Sequence, residues 1–178
     1  MIAIMSTMLD GLGGIEKRYG RGRFLFHQGD LISTMFLVIE GEARLERVQA
    51  SGSVSILQRT RAGSVLAEAS LFAHRYHCAA VAASAVTARL IPRIVMRKRF
   101  DTDPAFAAEW AMHLADEIRR ARMRSEILSL KRVQDRVDAW IALNGEGCSK
   151  GSLRGMAQEI GVSPEALYRE IAKRRSPA

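Results

Sequence analysis

The sequence predicts an α+β chain: an N-terminal antiparallel β sandwich or barrel, one long helix, and a C-terminal helical helix-turn-helix domain. Three observations carry this expectation. Turn glycines recur about every 11 residues through the first hundred (Gly29, Gly41, Gly52, Gly63), as in an antiparallel sandwich. Apolar or small residues then recur in alternating steps of four and three from Ala107 to Leu128. The stretch "LRGMAQEIGVSPEALYREIAKRR" reads as helix, tight turn, helix.

In the first part, "GRFLFHQGD" is a short strand ending in the turn dipeptide Gly29-Asp30. "TMFLVIEGEARLERV" is β-rich, with Phe36 and Val38 on one face and Leu37 and Ile39 on the other, and kinks at Gly41. "SGSVSILQRT" follows the turn Ser51-Gly52-Ser53, and "CAAVAASAVTARLIP" supplies one or two closing strands ending at Pro92. Its alanine content leaves parts of that run open to a helical reading.

The texture changes at Asp103-Pro104, an N-cap followed by a first-turn proline. The positions Ala107, Ala111, Leu114, Ile118, Ala121, Ser125 and Leu128 form the seam of a two-stranded coiled coil, so a homodimer joined along this helix is expected. "SLKRVQDRVDAWIAL" places Leu130, Val133, Val137, Trp140 and Ile141 on one stripe, before the loop "GEGCSKGS". Domain limits are expected at 15–100 for the β domain, 103–130 for the dimerisation helix and 131–178 for the helix-turn-helix domain.

In the C-terminal unit, Gly161 closes one helix, and Ser163 caps the next, with Pro164 at its first position. The second helix of such a unit lies in the DNA major groove. Glu165 and Arg169 sit four apart on its outward face, suited to cytosine and guanine edges, with Tyr168 beside them and Lys173 and Arg174 placed for phosphates. Charge agrees. Of the net +8, residues 1–118 carry 14 Lys+Arg against 12 Asp+Glu, whereas residues 119–178 carry 13 against 7. A basic C-terminal third on a near-neutral body suits nucleic acid.

No run reaches the roughly 18 apolar residues of a membrane span, and "MIAIMSTMLDGLGG" has no export signal, so a cytoplasmic protein without a membrane partner is expected. Two cysteines, Cys78 and Cys148, make neither a disulfide framework nor an iron–sulfur site. No nucleophile–base–acid set, phosphate loop or metal triad is legible, and the chain is read as a non-enzyme.

From about Arg18 to Lys173 the chain resembles the Crp–Fnr superfamily of bacterial regulators. The resemblance rests on "LFHQGD", "FLVIEGEARL", "AGSVLAEASLF", the helix from Asp103 and "MAQEIGVSPEALYREI". It implies an eight-stranded jelly-roll sensor, a dimerisation helix and a winged helix-turn-helix that binds a pseudo-palindromic operator in double-stranded DNA, with RNA polymerase as a further partner. "AEASLF" resembles the family's phosphate-binding cassette, which implies a ligand pocket at Glu68, Ala69, Ser70, His77, Cys78 and Arg122, with Glu68 on a ribose hydroxyl. The family has Arg-Ser where this chain has His77-Cys78, a glycine where it has Ala67, and a Thr-Ser pair where it has Ala121-Arg122. A histidine carries at most a pH-dependent charge, so cyclic AMP is not expected to bind in the usual way, and the cofactor stays unassigned. Arg75 or Arg122 is a candidate replacement cation. His74, His77 and Cys78 fit no zinc signature, and as strand neighbours His77 and Cys78 should face opposite ways; haem and metal are disfavoured. The wing is missing after "RRSPA". The alternative reading is a signal-responsive sensor dimer that acts through a protein partner rather than DNA.

Overall fold

A computed structural model describes residues 8–145 and 153–175. The loop holding Cys148 and the tail "SPA", and with them the question of the wing, fall outside the described residues. The chain forms two compact units, Met1–Leu114 and Ala115–Ala178, which divide within the long helix.

The first unit packs two four-stranded antiparallel sheets face to face. One has the order β1 (Ile15–Tyr19), β8 (Val86–Pro92), β3 (Thr34–Glu40), β6 (Val65–Leu66); the other has β2 (Phe24–Phe26), β7 (Ala79–Ala82), β4 (Glu42–Val48), β5 (Val54–Arg61). This is the jelly roll that the resemblance implies and an antiparallel sandwich as the turn spacing predicts, and all four turn glycines have positive φ. Met35, Phe36, Leu37 and Val38 are all buried, because β3 lies between β8 and β6 and is covered on both faces. The alanine-rich run resolves as strand: Ala80, Ala82 and Ala88 are packed in the core, where small side chains let the sheets approach.

Gly41 shows how tightly one turn is specified. Its φ of 82° favours glycine, and the β3–β4 turn rests on the β7–β8 turn, where the Glu42 N–H donates to Ser84 Oγ at 2.9 Å. A Cβ at position 41 would run into the Ala85 carbonyl oxygen.

After Pro92 comes a helix the sequence reading did not anticipate, α1 (Arg93–Thr102). Only Met96 of this helix is buried, while Ile94 is 75% exposed, so no apolar stripe marks it. The long helix α2 (Pro104–Ser129) follows the expected start. Asp103 Oδ1 accepts from the Ala105 and Phe106 N–H groups, both at 3.1 Å. The Phe106 donor, assisted by Arg99, holds this carboxyl below its ordinary pKa. Phe106 and Trp110 turn into the first core, and Ile127 into the second. The expected seam omits all three, because a helix packed on its own domains carries an inward stripe besides any partner-facing one.

The second unit adds α3 (Val133–Asn144), α4 (Leu153–Glu159) and α5 (Pro164–Arg175). Its core of Ile127, Val137, Leu153, Met156, Ala157, Ile160 and Leu167 is flanked by Val133, Trp140, Ile141, Val162 and Ile171. No helix among the described residues is long and apolar enough to cross a membrane.

Gly41→Ala should lower the stability of the first unit by about 2 kcal/mol or more, the combined cost of left-handed strain and a backbone clash. An unchanged chemical-denaturation midpoint would show that the turn can shift to make room.

Candidate functional site

The pleat decides which side chains meet between the sheets. Ala43 pairs with Ala82 and Leu45 with Ala80, and all four sit in the core. The paired register ends at Glu46 and Ala79, and just beyond it Arg47 reaches the backbone of the segment that leads into β7. Tyr76 and Cys78 are buried while His77, between them, is exposed. The strand begins only at Ala79, so His77 and Cys78 lie in a bend before it and the strand pleat does not set their facing; their burial shows the thiol inside and the imidazole outside. His77 meets the site through its backbone, its carbonyl accepting from Arg47 Nη2 at 2.8 Å.

Glu68 opens the short 3-10 helix Glu68–Phe72, which follows β6. It is 9% exposed, and Oε2 accepts from Gln58 Nε2 at 3.0 Å. A buried carboxylate needs such donors, because an unmet charge in the interior costs several kcal/mol. Gln58, on β5, is also nearly buried and was not anticipated from sequence. Ala67, at the glycine position of the resembled cassette, adopts φ 56° and ψ 47°. A left-handed non-glycine residue costs roughly 1–2 kcal/mol, so the cassette keeps its backbone shape against its local preference. Ser70 is buried and donates its N–H to the Ala67 carbonyl at 2.9 Å; Ala69 is exposed.

Cys78 is 1% exposed, and burial pushes its thiol pKa up to about 11; Arg47 partly offsets this and Glu68 reinforces it. A thiol so placed is protonated at neutral pH and acts as a small hydrophobe. Of the candidate replacement cations, Arg75 donates to the Gly29 carbonyl at 2.8 Å, and Arg122 lies exposed in the second unit. Among the described residues no group of His, Cys, Asp and Glu could hold a metal ion.

In the second unit, the Val162 N–H reaches the Ala157 carbonyl at 3.0 Å around Gly161, whose φ is 65°. Ser163 Oγ accepts from the Ala166 N–H at 3.2 Å and starts α5. Leu167 is fully buried, so the helix presents Glu165, Tyr168, Arg169 and Lys173 outward. Bonds to its own backbone N–H and to Ser163 hold the Glu165 carboxyl below its ordinary pKa. Arg169 and Lys173 make no ion pair among the described residues. Arg174 is committed differently: it pairs with Asp138 at 2.6 Å and Glu170 at 2.9 Å, and donates to the Gln134 carbonyl. It fastens α5 to α3, a role hidden from sequence because Asp138 lies 36 residues away.

Arg136, also unanticipated, donates to four carbonyls, those of Leu128, Leu130, Ile160 and Gly161. One guanidinium thereby closes the end of α2 and the turn before α5. The only sequence signal is an arginine beside an apolar stripe, which also describes a solvated surface.

Residues 16–103 match the family model of the cyclic nucleotide-binding domain. Among curated proteins, the chain is 24% identical over 164 residues to the global nitrogen regulator of Synechococcus elongatus, covering 89% of this chain and 73% of that one. Among solved structures it is similar to FixK2 from Bradyrhizobium japonicum, with a TM-score of 0.77 at 20% identity over 90% of this chain and 84% of that one. The c-di-GMP responsive global regulator CLP of Xanthomonas campestris gives a TM-score of 0.74 at 17% identity over 97% and 91%. A CRP/FNR-family transcriptional regulator from Thermus thermophilus gives 0.68 at 22% identity over 92% and 90%.

In a Cys148→Ser chain at about pH 8, native Cys78 should resist iodoacetamide and react once the chain is unfolded. Rapid native labelling would contradict both its burial and its raised pKa.

Proposed function

We propose that this chain, a member of the Crp–Fnr superfamily with a cyclic nucleotide-binding domain over residues 16–103, is a homodimeric DNA-binding transcriptional regulator of the cytoplasm. The observation that carries the DNA reading is the division of labour on α5. Leu167 holds the helix in the core while Tyr168, Arg169 and Lys173 stand outward without ion-pair partners among the described residues. A guanidinium free of carboxylates can bridge guanine O6 and N7, and an ammonium further along can meet a phosphate. Ser163 and Glu165 shape the start of the helix, and Arg174 braces it; Lys173 carries the phosphate role.

The dimer reading is supported by α2. Ile118 is 52% exposed and Leu128 47%, and Ala111, Ala121 and Ser125 lie open on the same seven-residue repeat. Isolated apolar residues are ordinary on a surface, but a repeating row of them is the pattern of a helix–helix interface. Leu114 contributes least, since it packs partly against the first core. A two-fold pair would present one α5 per half-site, with half-sites about one helical turn apart. The sensor domain, with His77 exposed, would not hold cyclic AMP through that residue.

Ile118→Asp should yield monomers in light scattering, because the dimer would have to bury an unpaired carboxylate. Retention of the dimer mass would remove α2 as the interface.

On the preferred operator, Arg169→Ala should cost about 1–3 kcal/mol and relax selection at one base pair. Lys173→Ala should instead weaken all duplexes alike and lower the salt slope by about one. If Arg169→Ala binds every sequence as the parent does, α5 is not the reading helix, and a protein partner becomes the better account.

A further inference from the structure

The four arginines of the β4–β5 hairpin are not equivalent. Arg44 pairs with Glu46 at 2.8 Å, and Arg59 and Arg61 both pair with Glu42, at 2.5 and 3.2 Å. Arg47 has no ion pair among the described residues. Its Nη2 donates to the His77 carbonyl, and its Nε is buried without a hydrogen-bond partner. A guanidinium drawn partly out of water, with no carboxylate and one N–H unmet, is an unfavourable arrangement for the fold by itself.

Its surroundings give that charge a direction. Arg47 lies two residues beyond Leu45 on β4, is half-buried, and its guanidinium reaches the backbone of His77, the residue before buried Cys78. Glu68 and Gln58 are hydrogen-bonded to each other within the same unit, and the Cys78 thiol feels the opposite charges of Arg47 and Glu68 together. The interior therefore offers an acceptor for hydroxyl groups and a planar, permanently charged donor fork, which suits phosphate bidentately. The guanidinium docks on the backbone of the residue pair that lacks an arginine of its own.

We propose that Arg47, arriving from β4, is the anion-holding residue of the sensor domain: it takes the phosphate of a small phosphate ester whose hydroxyl groups are accepted by Glu68. The assignment rests on reading residues 16–103 as a ligand sensor. It moves the cation from the cassette to a neighbouring strand, so the phosphate sits against the His77 backbone rather than its side chain.

Cyclic AMP and adenosine share the ribose hydroxyls but differ in phosphate, and their calorimetric titration into the full chain separates the two contacts. The parent should bind cyclic AMP more tightly than adenosine. Arg47→Gln should erase that preference, weakening cyclic AMP by about ten- to a hundredfold, the usual effect of losing a charge-assisted bond. Arg47→Lys, which keeps the charge and stands in should the glutamine variant fail to fold, should fall between. His77→Ala should keep the preference, and Glu68→Gln should weaken both compounds. A preference that survives Arg47→Gln, or vanishes with His77→Ala, overturns the assignment while leaving a sensor in place. A parent that does not distinguish the two compounds overturns it as well, and operator binding, judged through Arg169, is unaffected by either result.

Discussion

The side-chain alternation of the second sheet is the constraint on which the sensor domain depends. Because successive residues of a strand face opposite ways, Ala43 and Leu45 both enter the interior, and Arg47, half-buried two residues on, comes to the edge of it. Ala80 enters from the neighbouring strand, and Tyr76 and Cys78 are buried in the segment that leads into it. The thiol goes in, the imidazole goes out, and the guanidinium reaches the backbone between them.

The outer face of the same hairpin shows what the interior lacks. There, Glu42 pairs with Arg59 and Arg61 in partly exposed pairs, each worth only modest energy in high dielectric, while Arg44 reaches the nearly buried Glu46. Inside, one carboxylate and one guanidinium stand apart and each is met by a neutral group, Glu68 by Gln58 and Arg47 by a carbonyl. Separate, unneutralised charges are a poor way to stabilise a core and a good way to orient a dipolar ligand.

The helical unit is organised by a second guanidinium. The last carbonyls of a helix have no partner of their own, and Arg136 meets those at the ends of α2 and α4 at once. Hydrogen bonds to a charged donor are worth about 1.5–3 kcal/mol each, so the angle of the turn before α5 is tied to a single side chain. Arg174 adds a brace from the far end of α5 to Asp138. Between these anchors, Arg169 and Lys173 remain free to face a partner.

Local rules alone determined much of this protein. Turn glycines, the Asp103 cap, the Gly161 turn and the Ser163 cap each act within a few residues, so the antiparallel sandwich, the start of α2 and the helix-turn-helix were legible in the sequence. So was the inward placement of Val137 and Leu167, since it follows from helical periodicity. Helix α1 escaped notice because it buries one residue, and the inward stripe of α2 because Phe106 and Trp110 meet strands far away in the chain. The roles of Gln58, Arg136 and Arg174 rest on partners up to 36 residues away. Arg47, which carries no signal in the sequence, gains its meaning from the His77 carbonyl 30 residues on. Tertiary structure decided these, because a long charged side chain has no periodic preference of its own; its partner is whichever polar group the folded backbone brings within reach.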